Sequence, residues 1–258
     1  MEFFYSFYQY IIYQCKAKGA NSIHSPFVFE FYNEVLAHPY NFYAFEKLEN
    51  ARAELLSDQS IIEYHDLGSS RQFRKGTISS IASQILMPVE KAVVLFQLSH
   101  WLKPQGVLEL GSAFGITTSY LAKAYPSEII TIEGVEPIAN RAKQVWKSLE
   151  INTINSLVGK VEDLLPSLLL QPENLPELVV VDANHSYEAT MQNYRWLANS
   201  LSDSACIVFD DIYWSAEMGR AWKEIKEDPR VTVSIDVFGL GFVFFRKESR
   251  KENFVLRW

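Results

Sequence analysis

Cysteine is nearly missing from this chain: Cys15 and Cys206 are the only two among 258 residues. Two thiols so far apart do not make a disulfide framework. Cys206 lies in the apolar run Cys206-Ile207-Val208-Phe209 and reads as a small buried hydrophobe. No run of about 18 apolar residues occurs, so no membrane span is expected. The opening MEFFYSFYQY carries an acid where a secretory leader would carry basic residues, and no small-residue cleavage site follows. The expectation is a cytoplasmic protein. Basic residues are outnumbered, with 24 Lys and Arg against 31 Asp and Glu and a net charge of −7. That balance argues against a general nucleic-acid binder, which needs a basic surface for phosphates. Repeats and low-complexity segments are absent as well.

What is present is ordinary globular composition, 48% hydrophobic and 21% charged. The length suits one core with an N-terminal extension. We expect residues 1–90 to form a mainly helical extension or cap and residues 91–258 to form the main domain. The first 13 residues are dense in aromatics (Phe3, Phe4, Phe7, Tyr8, Tyr10, Tyr13) without the lysine-rich face of a membrane-surface helix. They are expected to pack on the domain or on a second copy, giving a homodimer. Ser25-Pro26 reads as an N-cap followed by a first-turn proline, which makes His24 a helix-entry residue rather than a ligand. The polar stretch His65–Gly76 is either a structural connector or a lid carrying Arg71, Arg74 and Lys75 toward an anionic substrate.

The chain is organised around GVLELGSAFGITTSYLAKAYPSEIITIEG, residues 106–134. Val107, Leu108 and Leu110 form a buried strand that stops at Gly111, and Gly111-Ser112-Ala113-Phe114-Gly115 makes a tight turn into a helix. Ile129, Ile130 and Ile132 make the next strand, with Glu133 at its carboxyl end, where an acid can accept both hydroxyls of a ribose. The spacing is G-x-x-x-G rather than the dinucleotide pattern G-x-G-x-x-G. Glu109 before the turn would repel a pyrophosphate, yet it suits the cationic amino group and sulfonium of S-adenosylmethionine.

Strand–helix alternation then continues without a break. Strands are expected at 155–158, 178–181 and 206–209, the last two ending on Asp182 and on Asp210-Asp211. Two final strands, 231–238 and 242–245, are joined too tightly for a crossover helix and must be antiparallel. The fold expected is α/β and Rossmann-like: a seven-strand, mostly parallel sheet with an antiparallel C-terminal strand, flanked by helices. Asp182, Asp210 and Asp211 would gather at the sheet's carboxyl edge. There they could hold a hard cation such as Mg²⁺, or simply cap the helices that follow. Trp214, Met218 and Trp222 could line an apolar acceptor pocket, or pack as core at helical spacing.

From about Leu98 to Arg246 the chain resembles the class I S-adenosylmethionine-dependent methyltransferases, in particular the catechol O-methyltransferase-like, metal-dependent group. The residues that carry this are V-L-E-L-G-S-A-F-G (107–115), T-I-E-G (131–134), V-V-V-D-A-N-H-S-Y (179–187) and I-V-F-D-D-I (207–212). The resemblance implies a cofactor set of Glu109, Gly111, Ser112, Ala113, Phe114, Gly115, Glu133, Gly134, Val161 and Glu162, joined by Asp182. It implies Mg²⁺ on Asp182, Asp210 and Asp211. Three residues after Asp182 the family often has a lysine base; His185 stands there and could take the proton of a hydroxyl. The implied reaction is methyl transfer to a small-molecule hydroxyl with metal assistance. The alternatives are a non-catalytic S-adenosylmethionine-binding module and a nicotinamide-dependent enzyme on a related sheet.

Overall fold

The alternation expected after Gly106 is what the chain forms. The computed structural model describes residues 2–37, 42–65, 72–171 and 175–258. The N-terminal part holds α1 (Glu2–Lys16), α2 (Pro26–Phe31), which runs on as a π-helical turn over Tyr32–Leu36, and α3 (Tyr43–Ser57). Next come β1 (Ile61–His65), β2 (Phe73–Thr77), α4 (Ile78–Ile85) and α5 (Val89–Leu102). The alternating part runs β3 (Gly106–Leu110), α6 (Ile116–Ala124), β4 (Glu128–Glu133), α7 (Glu136–Ser148), β5 (Ile154–Val158) and α8 (Val161–Leu168). It continues through β6 (Leu178–Val181), α9 (Tyr187–Ser200), β7 (Cys206–Asp210) and α10 (Ala216–Glu227). The last strands are β8 (Val233–Asp236), β9 (Leu240–Phe244) and β10 (Glu252–Val255).

The main sheet has the order β10-β8-β9-β7-β6-β3-β4-β5, eight strands rather than the seven expected. β9 is antiparallel to both β7 and β8, as the short Val237–Gly239 link requires, whereas β3/β4, β4/β5 and β6/β7 are parallel. The extra strand is β10, four residues parallel to β8. Its exposed, polar start hides it from periodicity: Glu252 and Asn253 face solvent, and only Phe254 and Val255 are half-buried. A second sheet, β1 with β2, pairs His65 with Phe73 and Glu63 with Lys75 where a polar loop was expected. Residues 66–71, with Arg71, lie outside the described residues. Lys75 donates to Glu63 at 2.5 Å across this hairpin, so the cation is already paired.

The chain divides into two compact units, Met1–His38 with Leu165–Trp258, and Pro39–Leu164. In the contiguous unit, α3, α5 and α6 share an aromatic core. Phe96 meets Phe45 edge-on at 4.9 Å and Phe42 at 4.5 Å, and Phe45 tilts onto Tyr120 at 5.2 Å. The fully buried Leu48, Leu55, Leu95 and Leu98 fill the space between. Each such burial contributes roughly 1.5–3 kcal/mol against the unfolded chain. Among the described residues no single helix is long and apolar enough to cross a membrane; α4 and α5 pass that test only as a pair bent by 62°.

In the other unit, β6 to β9 are buried on both faces, as strands covered by helices should be. Phe31 of α2 packs edge-on against Phe242 and Phe244 of β9. The aromatic α1 lies along its own unit: Tyr13 donates its hydroxyl to the Leu256 carbonyl at 2.5 Å, and Tyr10 and Tyr13 pack on Phe238. Its opposite stripe, Phe4, Phe7, Tyr8 and Ile11, is exposed. Ser25 takes the N-cap position of α2 with Pro26 behind it, but its side chain makes no capping bond.

Candidate functional site

The contiguous unit carries the glycine turn. β3 ends at Leu110, and the turn passes through three left-handed residues: Gly111 at φ 96°, Ala113 at φ 47° and Gly115 at φ 80°. The Gly111 amide donates to the Ile132 carbonyl of β4 at 2.8 Å. Gly115 is required twice over. Its φ disfavours any Cβ, and a Cβ there would sit 2.5 Å from Trp146 Nε1. That indole also donates to the Gly115 carbonyl at 2.9 Å. The second glycine therefore lets α7 close on the turn, and Trp146 belongs to a small core with Ala142 and Ile151.

Glu133, at the carboxyl end of β4, ties this turn down. Its Oε2 accepts the Ala113 amide at 3.0 Å and its Oε1 accepts the Val135 amide at 2.9 Å. Its backbone carbonyl accepts the Gly159 amide at 3.0 Å, which draws in the start of α8, where Val161 is half-buried and Glu162 exposed. Glu109 is engaged by side chains of its own unit. It is fully buried in β3, and its Oε2 accepts the hydroxyls of Thr118 at 2.6 Å and Thr131 at 2.7 Å. The carboxylate thus joins β3, α6 and β4 beneath the turn. Composition hid this, because the threonines that donate to Glu109 lie nine and 22 residues away. Ser112 and Phe114 are buried, while Gly111, Ala113 and Gly134 are half-exposed.

The discontinuous unit carries the acids. Asp182 follows β6, and its Oδ1 lies 3.4 Å from His185 Nε2. Asn184 between them turns through φ 47°, and Ser186 caps α9 by accepting the Ala189 amide. Burial lowers the His185 pKa; the hydrogen bond and charge of Asp182, with the charges of Asp211 and Asp210 behind it, outweigh this and raise it above 6.5. Asp210 ends β7 and is buried. Asp211 is left-handed at φ 53°, its amide donating to the Gly239 carbonyl and its carbonyl accepting the Trp214 amide, both at 2.9 Å. Among the described residues no three His, Cys, Asp or Glu side chains are arranged to hold a metal ion. Met218 and Trp222 are core, while Trp214 is exposed beside Asp211.

Sequence reading missed Asp236. This residue ends β8, is buried, and gathers three donors: Tyr213 Oη at 2.5 Å, Trp222 Nε1 at 3.2 Å and the Phe238 amide at 3.0 Å. A buried acid at the end of an apolar strand is the signal that could have found it.

An α/β sheet with left-handed turns and carboxylates at its strand ends is the arrangement of nucleotide-type cofactor enzymes. Residues 108–212 match the methyltransferase domain family. Solved structures share the fold. An O-methyltransferase of Streptomyces achromogenes involved in tomaymycin synthesis, in complex with S-adenosylmethionine, is 17% identical with a TM-score of 0.58, over 80% of this chain and 91% of that one. A Podospora anserina methyltransferase bound to S-adenosylhomocysteine is 16% identical with a TM-score of 0.61, over 88% and 100%. A Bacillus cereus O-methyltransferase in complex with S-adenosylhomocysteine is 17% identical with a TM-score of 0.54, over 84% and 96%. No curated protein matches by sequence. The match over residues 108–212 and the shared fold both agree with the methyltransferase resemblance read from the sequence.

Proposed function

We propose that this protein transfers the methyl group of S-adenosylmethionine to a hydroxyl of a small-molecule acceptor. The observation that carries the reading is the clamp of Glu133 on Ala113, which fixes an acid-tipped strand against the glycine turn. A carboxylate at the end of a strand, beside the glycine turn, suits Glu133 to accepting ribose hydroxyls. The Glu109 charge beneath the turn disfavours a pyrophosphate there and favours a cationic cofactor. Gly111, Ser112, Ala113, Phe114, Gly115 and Gly134 supply close backbone, and Val161 and Glu162 the adenine side.

In the proposed reaction, His185 accepts the proton of the acceptor hydroxyl as the oxygen takes the methyl group, and the sulfonium becomes a neutral thioether. Asp182 holds the imidazole through the 3.4 Å contact and balances its charge once protonated. Metal assistance rests on the resemblance, and no step is routed through it. The domain boundary proposed, residues 1–90 as extension and 91–258 as methyltransferase domain, likewise rests on sequence. The exposed Phe4, Phe7, Tyr8 and Ile11 support pairing of two copies through α1.

Calorimetry with S-adenosylmethionine and NAD tests the cofactor: no heat with the first and binding of the second would overturn the reading. Asp210→Ala, assayed with and without a chelator, tests the metal. Equal activity in all four combinations would remove it. A binding-only module would take up S-adenosylmethionine yet methylate no member of a broad hydroxyl panel.

A further inference from the structure

We propose that Asp236 is a positioning residue for the loop carrying Asp210 and Asp211, acting through the hydroxyl of Tyr213. The proposal rests on the methyltransferase reading for the importance of that loop, though not for its geometry. Asp236 is 1% exposed, a place where a carboxylate is costly unless it is fully bonded. Its Oδ1 takes the Phe238 amide; its Oδ2 takes Trp222 Nε1 at 3.2 Å and the Tyr213 hydroxyl at 2.5 Å. Of these donors only Tyr213 comes from the acid loop, two residues beyond Asp211.

The loop needs such a hold. Asp211 at φ 53° and Phe238 at φ 66° are both left-handed, and for a bulky aromatic that conformation is an outlier that its surroundings must enforce. The two are linked, since the Asp211 amide donates to the carbonyl of Gly239, the neighbour of Phe238. The Phe238 ring stacks on Tyr213 at 5.7 Å, with Tyr10 and Tyr13 at 5.1 and 5.5 Å from it. Asp236 thus fixes both ends of one arrangement: the β8–β9 turn through Phe238, and the acid loop through Tyr213. A core acid serving only stability would have no reason to reach the loop.

Two variants separate these roles. Tyr213→Phe removes the donor from the loop; Trp222→Phe removes a donor from the same carboxylate outside the loop. Hydrogen exchange over residues 210–215 and the indole ¹H–¹⁵N resonance of Trp214 are measured in each, with S-adenosylhomocysteine binding as control. The expected result for Tyr213→Phe is exchange of the Asp211 and Trp214 amides faster by at least tenfold and a shifted Trp214 resonance. Trp222→Phe should leave both as in the unaltered protein, whatever it does to the melting temperature. Equal effects in the two variants, or no effect in Tyr213→Phe, would overturn the proposal. If the unaltered protein binds no S-adenosylhomocysteine, the functional reading fails, while the loop comparison still decides the role of Asp236.

Discussion

The carboxylate of Glu133 accepts the amide of Ala113 at 3.0 Å, although 20 residues separate them. One side chain therefore stabilises a left-handed residue in the turn, and in the proposed function the same carboxylate receives the cofactor ribose. Glu133→Gln keeps the shape and loses the charge. Its affinity for S-adenosylmethionine should fall roughly 10- to 100-fold, the equivalent of about 1.5–3 kcal/mol for charged hydrogen bonds. Titration calorimetry checks this, and an affinity unchanged within twofold would remove Glu133 from the cofactor site.

Gly115→Ala tests the packing of α7 on the turn. The new methyl would meet the Trp146 ring at 2.5 Å in a backbone already at φ 80°. Overpacking and strain together should cost about 2–4 kcal/mol. Urea unfolding should show a lower midpoint with the slope preserved. Trp146→Phe gives up the 2.9 Å bond to the Gly115 carbonyl and should lose about 1–3 kcal/mol.

Asp228 gives an acid-stability signature. The side-chain bonds of Arg230, at 2.6 and 3.0 Å, lead the causes that lower its pKa from 3.8 to about 2 against the opposing effect of burial. A depressed carboxylate stabilises the fold above its unfolded value, so this contribution is complete above pH 3.8 and lost as pH falls toward about 2. Asp228→Asn should lower stability at neutral pH by about 2 kcal/mol and flatten the acid limb of the stability curve in that window. Denaturant titrations at pH 7, 4 and 3 compare the two proteins.

His185 should shape the pH–rate profile. A base must be neutral, and its pKa is raised above 6.5. Methyl transfer should therefore climb with pH through a value above 6.5, and the rising limb should move down in Asp182→Asn, which removes the main raising partner. His185→Gln should lower kcat by about 10²–10⁴-fold and abolish that limb. A profile unchanged in His185→Gln would dismiss the imidazole as base.

The strands from Gly106 to Asp210 were legible because buried parallel strands leave continuous apolar runs ended by glycine or acid, as Leu178–Asp182 does. The β8–β9 pair was legible from its short connection. β10 was not, because an edge strand of four residues with a polar start carries no period, and its pairing with β8 is settled by tertiary contact. The β1–β2 hairpin was hidden for the same reason, with exposed and half-buried residues alternating on a polar background. In the site, Glu133 was placed by its position on a strand. The partners of Glu109 and the role of Asp236 could not be, since hydrogen bonds between distant residues leave no local pattern. The acids at 182, 210 and 211 were found on strand ends, but their side-chain geometry was beyond sequence.

The Tyr13–Leu256 hydrogen bond spans 243 residues, and Lys18 forms a bridge with the same Leu256. On a ribosome, α1 emerges long before its partner, 243 residues further along the chain. Residues 39–164 are contiguous and can gather their core while synthesis continues. An amphipathic aromatic helix must meanwhile wait with its apolar face uncovered until β10 is made. Such long-range closure is slow, since loop entropy must be overcome before the contact rewards it. Truncation before Glu252 should therefore leave Tyr13 without its acceptor and expose the aromatic helix to aggregation, even with every strand of the glycine-turn unit intact.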